Sequence, residues 1–340
     1  MPDDPRRIDP DEPDGDELDA EAFDKAGRLF TYAFDTEGHL VSDDSEPAWR
    51  WTGYGLTDAR ARSSITALED LPVEARRCLL ASGRRVFIKQ AGGWIYGTMP
   101  DIHHRHYTEL PELGLVHFAL NARTLVTARK RPLQTVDDIR HDIENARAAF
   151  ASPAAVVDAI LSRLLDQLED RLEDLFEHLD SIEDRVIGGR WTGERDRLAP
   201  LRRRAIQAHR HLFLVAGIFR PLPTGEIGSV APQIVPSIEN SAARAGSLLH
   251  DSEQLQARAL LVQEEIMARL SERTNKLLYL LSVLTAVLMP VTIISGLFGM
   301  NVQGIPFTHS PLGFWEAAFL SAIGSAAIFL FVRRQHGRRE

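Results

Sequence analysis

Two long apolar runs lie near the C-terminal end of the chain. Residues 277–298 hold no charge over 22 positions, and residues 312–332 hold only Glu316 over 21. At ~1.5 Å per residue each run spans about 30 Å as a helix, the thickness of a bilayer's hydrocarbon core. The 13 residues between them, 299–311, include Gly299, Met300 and Asn301. A loop this short emerges on one side, so the two outer ends share the other.

Upstream, the pattern changes twice. Residues 27–131 contain short runs rich in aromatic and β-branched residues at 29–34, 86–90, 94–99, 114–120 and 124–128, which predict strands. Helical patterns at 58–69 and 73–81 lie between them, so the segment is expected to be an α/β or α+β domain with its own core. From residue 132 to 236 the expected structure is helical: 135–150, then 154–187 with apolar residues recurring at three and four, a stop at Gly188-Gly189, and a return helix 194–219. The stretch 221–236, with four prolines and two glycines, is expected to be a loop. Residues 237–276 predict a stalk helix feeding the first span. Its seam of Ser241, Ala245, Leu248, Ser252, Leu255, Ala259, Val262 and Ile266 suits close packing of several equivalent helices.

Charge adds an orientation. Arg269, Arg273 and Lys276 precede the first span, Arg333, Arg334, Arg338 and Arg339 follow the second, and the connecting loop has no Lys or Arg. The positive-inside rule puts both termini in the cytoplasm and the loop outside. Residues 1–26 carry 11 acidic and 3 basic side chains and supply most of the net charge of −9, so they predict a disordered acidic tail with no signal-peptide core. The remaining chain is near neutral, without the basic footprint of a nucleic-acid binder. The single cysteine, Cys78, excludes an intrachain disulfide.

The first span also carries a polar stripe. The same spacing picks out Asn275, Ser282, Thr285, Met289, Thr292 and Gly296 on one face. Such a face serves either tight helix packing or a wet path. Because it ends at Gly299-Met300-Asn301, a pore is favoured, and a pore from one or two spans per chain requires a symmetric oligomer. Uncharged oxygens suit a hydrated divalent cation, with Asn301 contacting the ion through its water; Mg²⁺ dehydrates reluctantly, whereas Zn²⁺ prefers nitrogen and sulfur ligands.

Gly299-Met300-Asn301 after a Pro-containing span, with a second span and a basic tail (333–340), resembles the CorA superfamily of divalent-cation transporters. Ser271-Glu272-Arg273-Thr274-Asn275-Lys276, Tyr279-Leu280-Leu281-Ser282-Val283, Met289-Pro290, Ser295-Gly296-Leu297-Phe298 and Gly313-Phe314-Trp315 are similar to the ZntB-like zinc-transporter branch, as is Arg123-Thr124-Leu125-Val126-Thr127-Ala128-Arg129. The resemblance implies an α+β membrane protein: a cytoplasmic α/β domain, a long helical hairpin and stalk, and two C-terminal transmembrane helices in a homopentameric funnel of a bacterial inner membrane. It implies Zn²⁺ transport, with proton coupling, through a pore lined by the first span and ringed at its mouth by Asn301. Gln303 departs from the branch, which usually has glycine there. Two alternatives stand beside it: a CorA-type Mg²⁺/Co²⁺ transporter, and a membrane-anchored oligomeric sensor or scaffold. The expected partners are further copies of the chain, divalent cations and lipid.

His103, His104 and His106, close to Asp101, are candidate regulatory metal ligands, against a plain surface loop. The helix at 154–187 carries Asp166, Glu169, Asp170, Glu173, Asp174, Glu177, Asp180, Glu183 and Asp184, either a solvated face or an electrostatic sink for cations. No catalytic arrangement, phosphate-binding glycine loop or cofactor motif is present in the sequence.

Overall fold

The computed structural model describes residues 24–41, 46–83, 85–103, 113–219, 232, 235–300 and 312–336. The chain divides into two compact units, one holding the residues up to Arg185 together with Asp196–Leu260, the other Val186–Arg195 together with Leu261–Glu340.

The first unit is built on a six-stranded sheet. Its strands are β1 (Arg28–Phe34), β2 (Trp49–Gly55), β3 (Phe87–Ala91), β4 (Trp94–Ile102), β5 (Leu113–Leu120) and β6 (Thr124–Arg129). They lie in the order β1-β2-β6-β5-β4-β3. Only the β2–β6 pair is parallel; the other four pairs are antiparallel. Side chains alternate across a strand, and both faces are covered. Tyr54, Trp94, Tyr96, Ala119, Val126 and Ala128 pack with α1 (Ala59–Thr66) and α2 (Val73–Leu79). Trp49, Trp51, Ile95, Met99, Phe118 and Leu125 pack with α3 (Gln134–Glu144) and the start of α4 (Pro153–Ile187), so the result is a three-layer sandwich.

Strand β2 was not anticipated from the sequence, because Trp-Arg-Trp-Thr-Gly-Tyr-Gly contains two glycines and no β-branched run. Phe30 pairs with Gly53 in the ladder. A Cβ on Gly53 would fall 2.3 Å from the Phe30 ring, so the glycine is the seat for that ring. Trp51 is fully buried, and its indole N–H donates to Thr127 Oγ1 at 3.0 Å. Helix α3 ends at Glu144 rather than continuing to 150. Asn145 turns its side-chain amide onto the His141 carbonyl (2.7 Å), and Ala146 adopts φ +54°, which no α-helix accommodates. Phe150 then ties back through its N–H to Gly38 (3.1 Å) and through its carbonyl to the Trp49 indole (3.0 Å).

Helix α4 and α5 (Glu194–Phe219) fall at their expected positions, and the long helix α6 runs without interruption from Val235 to Phe298. Pro236 sits in its first turn, where a missing N–H costs nothing. The seam from Ser241 to Ile266 is buried at all eight positions. It is covered largely from inside the chain, however, and not by equivalent helices. Ser237 donates to Asp158, Arg244 bridges Asp166 (2.6 Å) and Glu169, and Arg258 bridges Asp180 (2.6 Å) and Glu183 (2.5 Å), so α6 runs parallel to α4. His209 of α5 meets Ser252 at 3.0 Å on another side. Four of the nine carboxylates of the acidic face of α4 are therefore held by two arginines, which weakens the electrostatic-sink reading.

In the second unit, α6 continues beside α7 (Gly313–His336). Both are long and apolar enough to cross a membrane, and 0% and 6% of their apolar windows are buried. The acidic stretch 1–23, most of 220–234, 301–311 and 337–340 lie outside the described residues.

Candidate functional site

The membrane half of α6 has two distinct faces. Val283, Ala286, Val287, Pro290, Ile294 and Phe298 are half-buried. They match a face of α7 made of Gly313, Ala317, Ser321, Gly324, Ser325, Ile328 and Val332. Gly324 lies against Pro290, where a Cβ would come within 3.0 Å of the proline ring, and Ser321 is 8% exposed. Small residues let the two backbones approach, the usual means of helix association where lipid supplies no hydrophobic drive.

The predicted stripe is not on that face. Asn275, Ser282, Thr285, Met289, Thr292 and Gly296 are all exposed, Met289 at 57%. At 3.6 residues per turn their mean direction lies about 140° around the helix from the face that meets α7. Gly296 has nothing within 4 Å of the position its Cβ would take. Packing against the chain's own second span, the bland explanation for a polar stripe, is thereby removed.

The hydroxyls are also oriented. Ser282 Oγ donates to the Leu278 carbonyl at 2.8 Å, Thr285 Oγ1 to Leu281 at 2.9 Å, and Thr292 Oγ1 to Met289 at 2.9 Å. Each proton is committed to the helix backbone. What remains on the outer surface is oxygen lone pairs, which accept hydrogen bonds. At the top of the helix, Gly299 N–H donates to Ser295 (2.9 Å) and Met300 N–H to Leu297 (3.3 Å), closing the last turn. Asn301 and Gln303 lie outside the described residues.

The rim chemistry fits a membrane setting. Phe314, Trp315 and Phe319 are 76%, 69% and 69% exposed at the loop end of α7, an aromatic belt, with Glu316 in the helix's first turn. At the other end, Lys276 pairs with Glu272 (2.6 Å) and holds its carboxyl below the usual range, while Arg269 pairs with Glu265 (2.6 Å).

The histidine cluster gains little. His103 forms an isolated bridge with Leu133, and His104 and His106 lie outside the described residues. Asp101, their expected companion, is fully buried and accepts from the Thr135 (3.2 Å) and Val136 (3.1 Å) amides. It caps α3 from a neighbouring strand, because Leu133 at the cap position has no side-chain acceptor. Burial pushes its carboxyl up to about 6 despite those bonds. Among the described residues no three His, Cys, Asp or Glu side chains converge as a metal site.

Comparison with known proteins gives one family. The profile described as "CorA-like Mg2+ transporter protein" matches residues 47–334. The divalent cation transporter CmaX of Pseudomonas aeruginosa is 29% identical over 210 residues, 62% of this chain and 62% of that protein. The zinc transport protein ZntB of Yersinia enterocolitica is 24% identical over 306 residues, 88% of this chain and 92% of that one. Among solved structures, full-length CmaX superposes with a TM-score of 0.76 at 22% identity, covering 92% of this chain and 99% of the other. The CorA magnesium transporter of Methanocaldococcus jannaschii superposes at 0.71 with 14% identity, covering 89% and 96%.

Proposed function

Because the chain belongs to the CorA-like Mg²⁺ transporter protein family and is a divalent-cation transporter, we propose that it carries Zn²⁺ through a pore made by symmetric copies of the membrane half of α6. The observation that carries this reading is the outward stripe, polar and turned away from α7. A homopentamer would bring five copies of each stripe position onto one axis, with α7 as the outer ring facing lipid through Phe314, Trp315 and Phe319.

A hydrated divalent cation presents its water O–H groups outward. Ser282, Thr285 and Thr292, with their own protons spent on the backbone, accept from those waters. Such a wall stabilises the ion without demanding full dehydration, which is the costly step for a small divalent cation. The Met289 thioether adds a soft donor on the same face, which favours Zn²⁺ over Mg²⁺. Likeness to ZntB over most of both chains supports the same cargo. Asn301, one residue beyond Met300, is proposed from the sequence as the selectivity ring at the mouth, contacting the ion through its water shell. The basic residues flanking the spans support an inner-membrane placement with both termini cytoplasmic.

Isotope uptake into proteoliposomes tests this. Zn²⁺ uptake is expected, increased by an imposed pH gradient if transport is proton-coupled, and reduced by Asn301→Ala. Mg²⁺ uptake without Zn²⁺ would favour the alternative suggested by the family description. Uptake of neither ion would leave only a membrane-anchored scaffold.

A further inference from the structure

The turn between α4 and α5 belongs to the same compact unit as the spans: Val186–Arg195 groups with the chain from Leu261 onward. Ile187 is 74% exposed at the very end of α4, and Arg190 beside it is exposed. Trp191 is half-buried, with the Arg273 guanidinium 5.7 Å from its ring centroid. Gly189 and Gly193 take φ +79° and +85° with nothing near their Cβ positions, so the turn bends back tightly. Arg273 lies four residues before Leu277, the first residue of the uncharged run, which is about 6 Å along the helix axis. The headgroup layer is itself several ångströms thick outside the hydrocarbon core. Trp191 is thus held at headgroup depth, and an exposed isoleucine and an exposed arginine accompany it.

We propose that this turn is a lipid contact: Ile187 and Trp191 seat in the headgroup layer of the leaflet at the Lys276 end of the spans, and Arg190 with Arg273 binds the phosphate of an anionic lipid. Aromatic and aliphatic side chains flanked by basic ones are the composition that such a surface selects. Arg273, stacked on Trp191, has its charge held beside the ring face rather than in an ion pair with a neighbouring carboxylate, unlike Lys276 and Arg269. The inference rests on the reading of α6 and α7 as membrane spans.

The test uses the full-length chain in nanodiscs, with Cys78 replaced by serine and an environment-sensitive fluorophore on single cysteines. Ile187→Cys, Asp170→Cys and Phe319→Cys are compared, using lipids with a nitroxide near the headgroup. The label at 187 is expected to lose most of its emission, and the label at 170, seventeen residues earlier on the same helix, very little. Adding Arg190→Glu should relieve the quenching at 187 in phosphatidylglycerol-containing discs and change little in phosphatidylcholine alone. Equal, weak quenching at 187 and 170 would overturn the proposal. So would a label at 187 shielded from both aqueous iodide and nitroxide lipid, because a second copy of the chain would then cover the turn. Phe319→Cys reports on the spans separately: no quenching there would overturn the membrane reading together with this contact.

Discussion

Helix α6 carries two stripes at the same three-and-four spacing, one mixing small and aliphatic residues and one mainly polar, and they meet opposite environments. From Ser241 to Ile266 the stripe is buried at every position, and its Ser252 has a partner inside the chain in His209. From Asn275 to Gly296 the stripe is exposed at every position, and its hydroxyls bond only to their own backbone. Spacing marks a face, but it does not say what covers that face. The cover is decided by what the rest of the chain brings alongside: α4 and α5 lie along the seam, and beside the uncharged run α7 takes a different side from the stripe.

The largest break in this comparison comes from the first unit. Trp51→Ala removes a fully buried indole and its bond to Thr127, and should cost about 3–5 kcal/mol. It is read as a lowered unfolding midpoint with the spans still inserted. Next, Gly324→Leu places a side chain where Pro290 already sits. It should separate α6 from α7, seen as loss of the assembled species in detergent without a change in the soluble unit's unfolding. A smaller contrast compares one serine from each stripe. Ser252→Ala leaves His209 without that partner and should cost about 1 kcal/mol, whereas Ser282→Ala should shift stability by a few tenths at most while lowering ion flux.

The smallest effect is that of pH. Burial lowers His117 and His211 to about 4, His211 helped by the nearby Arg171. Their neutral forms stabilise the fold fully above the unfolded value near 6.5, and that stability is lost as pH falls through about 4. Asp101 acts in the opposite sense: its contribution is full below 3.8 and is lost as pH rises through about 6. The first unit should therefore unfold more readily on acidification from pH 7 to 4, with Asp101 offsetting part of the loss. Asp101→Asn should remove that offset, measured as a steeper fall of midpoint with pH.

Most of the first unit was legible because alternation and three-and-four spacing are direct images of burial. The long helices α4 and α5 begin and end where Pro153, Gly188 and Phe219 said they would, within a residue. Three things were not legible. Gly53 weakened the signal of β2 for a reason visible only in three dimensions, the ring of Phe30 above it. Asp101 looked like a member of a histidine cluster, but it caps a helix 34 residues later in the chain, a non-local partner that no local pattern encodes. The seam of α6 looked like an interface between copies because small residues suit any close neighbour. The stripe was legible as a face, and its orientation away from α7 needed the structure.

The central claim, that this stripe lines the ion path, is tested most directly by blocking it. In the Cys78→Ser background, Thr285→Cys or Thr292→Cys should keep Zn²⁺ uptake in proteoliposomes until a charged methanethiosulfonate reagent is added, and should then lose it. Val287→Cys, on the face turned toward α7, should be unaffected. Uptake that survives modification at 285 and 292, or that falls equally at 287, would contradict the account.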